Sequence, residues 1–246
     1  MCVNVYFVTT GLREEVQVIK KVRPPRLLCS YWYFKNKLLA KFCEELGYQP
    51  EILLDSGAYS AFTKGKHVNI LDYIEYIRAN RAYITNYISL DVIGDPTMSF
   101  LLFRFMWDAG LCPIPVIHYN EDLRLMDYYR EGWPPLPVAL GGTVPVRDKR
   151  VVAAWCAEVK RRYPDTELHL LGSNSKAILH SGVLTSCDAS TWYIQAVKGR
   201  PTTIPGRNRD AKIQRAEVNM RRIMEVFDEA AVPFADCTVE RTDSEI

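Results

Sequence analysis

Apolar, β-branched and aromatic runs recur along this chain. Between them lie segments whose apolar residues fall every three to four positions. Residues 3–8 read as a strand and 13–21 as a helix. Residues 26–33 read as the next strand, and Leu38, Leu39, Phe42 and Leu46 mark a helix ending near Gly47. Residues 51–55 form a third apolar run. Ile70, Leu71, Ile74 and Ile77 then give a helix over 69–80. A strand over 87–92 precedes a helix over 96–109 that Gly110 stops. Strands over 114–118, 136–141, 167–171 and 182–187 bring the count to eight, with helices over 122–130, 149–162 and 175–180 between them. Helices over 192–197 and 211–230 follow. Seven of the eight runs are followed by a helix before the next run, the pattern of parallel strands joined by crossover helices. The expected fold is an α/β protein, a (β/α)8 TIM-type barrel over residues 1–246 as a single domain. A doubly wound open sheet is the alternative, weakened because no glycine-rich dinucleotide fingerprint follows the first strand. There is no internal repeat, low-complexity tract or interdomain linker. Pro24-Pro25 and Pro134-Pro135 fall just before strands, as short turn-bearing loops do.

Five of the runs end in a polar or glycine motif: EILLDSG at Asp55, YISLDVIGD at Asp91, PIPVIHYN at His118, PVALGGT at Gly141 and Gly142, and GVLTSCDAST at Asp188. In a parallel barrel every strand's carboxyl end points to one face, where active sites form. Three carboxylates, an imidazole and a glycine pair would therefore meet in one pocket. Taken singly, each has an ordinary reading as well. Asp55 can serve as a helix cap, or as a carboxylate beside a flat ligand that Gly57 lets approach closely. Asp95 before Pro96 reads as a cap with proline in the first turn, which leaves Asp91 as the site residue. An ionised Asp91 accepts only, and suits the paired N–H donors of a guanine-type edge. His118 is either a satisfied polar residue or part of the site, with Asn120 sharing a polar role. Gly141 and Gly142 form either a tight turn or a pair of backbone N–H donors for a carbonyl oxygen, and Leu170-Leu171-Gly172-Ser173 repeats that pattern weakly. Asp188 at a barrel mouth has the chemistry to attack an anomeric carbon, with a second carboxyl group handling the proton. Spacing alone does not separate this arrangement from a metal site.

Composition adds limits. Hydrophobic residues make up 48% of the 246, enough for a substantial core, and no stretch of 18 apolar residues occurs to span a membrane. The first residues lack a basic segment ahead of their apolar run and read as a first strand rather than a signal peptide. Seven scattered cysteines without CxxC spacing point to reduced thiols in a cytoplasm (a host's, were the protein viral) and give no support for structural zinc. Net charge is only +2, but eight basic residues fall between 198 and 222. Lys198, Arg200, Arg207, Arg209, Lys212 and Arg215 lead that run. It reads either as a patch for a phosphate backbone or as a solvated helix face with its loop, within a basic helical segment over about 198–230.

The ordered motifs resemble those of the guanine transglycosylase superfamily, barrel enzymes that exchange guanine for a 7-deazaguanine base in nucleic acid. LLDSGAYSAF is similar to the family's strand-end aspartate segment, SLDVIGDP to its second aspartate segment and VALGGTV to its double-glycine segment. LHLLGSNSKAILHSGVLTSCDASTWY is similar to its closing, nucleophile-bearing stretch, so the likeness runs over residues 53–193. The resemblance implies that Asp188 is the nucleophile and Asp55 the general acid and base. It implies that Asp91 reads the guanine amino and ring N–H edge, that Gly141 and Gly142 contact its carbonyl, and that Ser56 and Gly57 line the base pocket. His118 stands where the family usually has a base-recognising glutamine. Asp91 is followed by Val92 rather than the glutamate common in relatives, and DASTW replaces a longer arginine-bearing motif. The zinc motif of the tRNA enzymes is missing, since only Cys237 and no histidine follows Asp188. A zinc-free version looks most like the phage-type DNA-guanine transglycosylases, which implies DNA as partner, with tRNA as the alternative, a 7-deazaguanine as the small substrate and no cofactor. Tyr59, Phe62 or Trp192 would stack on the displaced base, core packing being the ordinary role for Phe62. A non-catalytic base- or nucleic-acid-binding subunit and, further off, a metal-dependent barrel hydrolase are the competing expectations.

Overall fold

The computed structural model describes residues 3–131, 136–173, 175, 178 and 181–227. Eight parallel strands form one curled sheet: β1 (Asn4–Thr9), β2 (Arg26–Ser30), β3 (Glu51–Asp55), β4 (Asn86–Tyr87), β5 (Val116–His118), β6 (Val138–Gly141), β7 (Leu168–Leu170) and β8 (Ser186–Ala189). Their order is β4-β3-β2-β1-β8-β7-β6-β5, with every pairing parallel. The outer two strands also approach each other. Ile88, just past β4, forms a parallel bridge with Ile114, just before β5. Ser89 N–H donates to the Ile114 carbonyl and Ile114 N–H to the Tyr87 carbonyl, each at 2.8 Å.

The strands are buried on both faces, and the alternation of side chains sorts them into two cores. Phe7, Cys29, Leu54, Tyr87, Ile117, Leu140, Leu170 and Cys187 pack outward into the large core under the helices. Tyr6, Leu28, Leu53, Ile88, Ile114, Val116 and Ala139 form a smaller inner core. Registers Val8↔Leu28, Leu28↔Leu53 and Val116↔Ala139 align residues of the same parity across the sheet. On the amino-terminal side, the Tyr6 hydroxyl donates to Glu51, which also pairs with Arg26 at 3.2 Å.

The helices are α1 (Arg13–Val22), α2 (Tyr31–Phe34), α3 (Leu39–Leu46), α4 (Ala58–Phe62), α5 (Ile70–Ala79), α6 (Pro96–Asp108), α7 (Leu125–Arg130), α8 (Lys149–Arg162), α9 (Thr191–Val197) and α10 (Arg209–Phe227). The starts of α5, α6, α8 and α10 follow a polar residue whose side chain accepts from the first turn. Asn69 accepts from Leu71 N–H at 2.9 Å to open α5. Asp95 accepts from Met98 N–H at 2.9 Å with Pro96 in the first turn, as expected for α6. Glu15, buried at 4% exposure, closes the β1–α1 loop by accepting from Thr9 and Thr10 hydroxyls and from Thr10 and Leu12 N–H groups. Helix α10 lies across α1 and α9, tied to α1 by Lys21–Glu217 at 2.6 Å.

Several expected boundaries move. The strand over 26–33 stops at Ser30, and Tyr31–Phe34 turns helical. The aromatic run has β character, but a helical turn sends Tyr31 and Phe34 together into the core. The strand over 87–92 leaves the sheet after Ile88: Val92 N–H bonds to the Ser99 hydroxyl at 2.9 Å, so α6 captures the segment. The strand expected over 182–187 lies instead at Ser186–Ala189, after a turn with Gly182 at φ +69°. The short helix expected over 175–180 falls mostly outside the described residues. Cys29, Cys43, Cys156 and Cys187 are free and buried, as expected, but Cys112 is disulfide-bonded, which departs from the reading of uniformly reduced thiols. Among the described residues, no helix is long and apolar enough to cross a membrane.

Candidate active site at the strand carboxyl ends

The inner-face parity runs out of the apolar layer into the polar strand ends. Leu53 is followed by Asp55, Val116 by His118, Ala139 by Gly141 and Ser186 by Asp188. Two-residue steps along each strand place these groups on the face that carries the inner core. Asp91 arrives differently, from the loop after Ile88.

Asp91 and Asp188 lie close enough to Asp55 to act on its ionisation. Burial pushes the Asp55 carboxyl up to about 7, and the negative charges of Asp91 and Asp188 push the same way. The Ser30 hydroxyl and the Gly57 N–H pull against them. The Gly57 N–H donates to Asp55 Oδ2 at 3.0 Å. A carboxyl group that changes charge near neutrality, beside two further carboxylates, is suited to giving and taking a proton.

Asp188 is 5% exposed. Gly172 N–H donates to its Oδ1 at 2.7 Å, and His169 Nε2 lies 3.7 Å from the same oxygen. His169 is itself held by the Ser186 hydroxyl at 2.8 Å and by an edge contact with Tyr6. The glycine of LLGS, a weak motif in the sequence, is thus the group that orients the third carboxylate.

Asp91 is fixed from two sides. His118 Nε2 lies 2.9 Å from its Oδ2, and the Ser56 hydroxyl donates to Oδ1 at 3.3 Å. His118 Nδ1 is 3.1 Å from Glu121 Oε1, and Glu121 Oε2 accepts the His118 backbone N–H at 2.8 Å. Burial alone would push the imidazole down. Its hydrogen bonds to Asp91 and Glu121 outweigh that and raise it to about 9, so it is an imidazolium at neutral pH that donates from both nitrogens. Sequence reasoning missed Glu121. Its signal was the three-residue spacing from His118 in the loop after β5. Each Asp91 oxygen keeps a further lone pair for a ligand.

The glycines make this packing possible. A Cβ on Gly141 would sit 2.9 Å from His118 Cδ2, and one on Gly142, at φ +72°, 3.1 Å from Tyr119 N. Gly57, at φ +77°, is the tightest case, because a Cβ there would lie 2.5 Å from Trp32 Cβ and 2.9 Å from Trp32 N. Gly57→Ala is expected to destabilise the protein by about 2–4 kcal/mol through backbone strain and overpacking. Thermal unfolding checks this, and an unchanged Tm would contradict it.

The remaining expected site residues lie elsewhere or in different roles. Trp192 is fully buried and donates to the Val8 carbonyl at 3.0 Å, so it is core and no stacking surface. Phe62 is 58% exposed, so it is not core. Of the basic segment, Arg215 is buried and donates to the Ile204 and Gly206 carbonyls, which makes it an internal brace. Arg209 and Lys212 pair with Glu14 at 3.4 and 2.8 Å. Lys198 and Arg207 are exposed and join Lys212 and Arg215 around a cleft of about 500 Å3 between α9 and α10. None of the three aspartates lines that cleft. Arg200 is exposed, and its carbonyl accepts from Asn219 at 3.0 Å. Among the described residues, no group of three or more His, Cys, Asp or Glu side chains is arranged to hold a metal ion.

No protein-family model and no curated protein sequence matches the chain. In structure it is similar to the carboxyl transferase domain of Rhizobium etli pyruvate carboxylase with pyruvate. The TM-score is 0.54 at 11% identity, over 95% of this chain and 49% of that one. It is also similar to the YdjI aldolase from Escherichia coli K12, with a TM-score of 0.54 at 11% identity, over 92% of this chain and 91% of that one. The chain spans about half the length of the carboxylase structure. At these identities the likeness concerns the fold: a parallel α/β sheet of the TIM-barrel kind. The resemblance to guanine transglycosylases rests on the motifs.

Proposed function

We propose that the sheet closes through the Ile88–Ile114 bridge into a (β/α)8 barrel and that the strand-end carboxylates catalyse base exchange. In this reading the protein is an enzyme, a pentosyltransferase that replaces guanine in DNA with a 7-deazaguanine. The observation that carries it is the coupled trio of Asp55, Asp91 and Asp188, with Asp55 poised near pH 7.

The steps use only this chain's residues. A target guanine leaves the stack and enters the pocket, which costs a few kcal/mol in a duplex. Asp91, its charge balanced by the His118 imidazolium, accepts the guanine amino and ring N–H groups. Asp188, oriented through Oδ1, attacks the anomeric carbon, and the bond from that carbon to the base nitrogen breaks. Asp55 in its acid form protonates the departing guanine. The sugar is now esterified to Asp188. A 7-deazaguanine then takes guanine's place and loses its ring N–H proton to Asp55, now a carboxylate. Its nitrogen attacks the same carbon and releases Asp188. Two inversions give net retention, and Asp55 recovers its proton.

The reaction is tested by incubating the protein with a labelled 7-deazaguanine and either DNA or tRNA. Label is expected in DNA. Label in tRNA alone would move the substrate to the alternative. Tight binding of the base without label in either would overturn the exchange reaction in favour of a binding subunit.

A further inference from the structure

Beside Asp55, α2 and α4 touch and form a rim that the exchange steps leave unused. The absent Cβ of Gly57 lets this rim close onto Trp32. Three large aromatic side chains on it face solvent: Tyr33 at 39%, Tyr59 at 52% and Phe62 at 58% exposure. Lysines accompany them. Lys35 and Lys64 lie 4.9 and 5.3 Å from the Trp32 ring centroid, and Lys64 lies 5.0 Å from that of Tyr33. Lys66, two residues on, is exposed. Among the described residues, Lys35, Lys64 and Lys66 take part in no ion pair, so their charge is available to an outside anion. Exposed aromatic faces without a polar partner are costly in water. Interleaved with uncompensated ammonium groups, they match a chain that alternates flat bases with phosphates.

We propose that this rim is a stacking platform for the unpaired nucleotides flanking the base in the pocket. Tyr33, Tyr59 and Phe62 take base faces, while Lys35, Lys64 and Lys66 take phosphates. The choice of DNA as the strand rests on the exchange reading above. The platform itself requires only a single-stranded polynucleotide. It differs from the cleft at Lys198 and Arg207, which offers cations without exposed aromatic rings.

The test measures binding of a fluorescein-labelled thymidine oligonucleotide, which holds no guanine, to Asp188→Ala protein, so turnover plays no part. Phe62→Ala and Tyr33→Ala are each expected to weaken binding about tenfold. Both positions are solvent-exposed, and an unchanged Tm verifies the fold. An abasic oligonucleotide with the same phosphates separates stacking from charge. The aromatic variants should bind it as the parent does, and Lys64→Gln should bind it more weakly. Unchanged thymidine binding in the aromatic variants would overturn the platform. So would equal losses on the abasic strand, or dependence on Lys198 and Arg207 alone. Failure here, with label still entering DNA, leaves base exchange standing. Platform binding without label transfer sinks exchange and keeps the platform.

Discussion

Under the proposed base exchange, Asp188→Asn is expected to lower the rate by roughly 10^4-fold or more, the scale on which loss of a nucleophile acts. The substitution changes two things. An amide nitrogen or oxygen replaces the attacking carboxylate oxygen, and the amide does not form the sugar ester. Shape is nearly conserved, and the remaining amide oxygen can still accept the Gly172 N–H that now reaches Oδ1 at 2.7 Å. The variant should therefore fold and bind base. The covalent step is read directly: denaturing electrophoresis of parent protein mixed with guanine-containing DNA should show a protein–DNA adduct, and the variant should show none. Equal label incorporation by both proteins would remove Asp188 from the nucleophile's role. One negative charge is also lost from the trio, so the Asp55 carboxyl should move back toward the ordinary range, because Asp188 is among the groups that raise it.

Asp55→Asn carries the other large effect, and it appears in stability as well as rate. The folded-state carboxyl titrates at about 7, above the 3.8 of a solvated aspartate. The folded protein thus holds this proton more tightly than the unfolded chain. The group's stabilising contribution is fully present below about pH 4 and is lost as pH rises through 7. It amounts to at most about 4 kcal/mol, at 1.36 kcal/mol per pKa unit. Asparagine does not titrate. The variant's stability relative to the parent should therefore rise between pH 4 and pH 8, while the proposed exchange should fall at all pH values, since asparagine cannot take the acid and base role proposed for Asp55. His118 contributes in the same direction over a higher window. Its folded value of about 9 stands above the ordinary 6.5, so its contribution is present below 6.5 and is lost through 9. The decline above pH 7 should then survive in the Asp55→Asn protein while the decline between 4 and 7 disappears. Parallel denaturation curves of the two proteins across pH 4 to 8 would contradict the assignment. A stabilised but inactive variant is the usual mark of a site that holds an unfavourable charge for its chemistry.

Parts of this site were legible in the chain. Glu51–Asp55 coincides with its apolar run, and the two-residue step from Leu53 to Asp55 places the carboxylate on the inner face. The step from Ser186 to Asp188 does the same on β8, although the run around it read as a strand ending one residue earlier. Asp95 was legible as a cap because its partner, Met98, lies within the same turn. What escaped reading depends on distant partners. Trp192 and Phe62 look alike as aromatic positions in short amphipathic segments. One is buried because α10 covers α9, and the other is exposed because nothing described covers the rim. Arg215 reads as one basic residue among eight, yet the backbone turn at Ile204 and Gly206 takes its guanidinium inside.

By itself the sequence determined the alternation of strands and helices, the parallel pairing that follows from it, and the strand ends at which Asp55 and Asp188 stand. Those features depend on periodicity and on neighbours a few residues apart. Only the tertiary structure decided that Asp91 is clamped by His118 and Ser56, that Glu121 completes the clamp, and that Gly172 orients Asp188. It also decided that Asp55 titrates near neutrality. A pKa and a hydrogen-bond partner depend on groups brought within a few ångströms from Ser30, Asp91 and Asp188, and sequence spacing does not encode that distance.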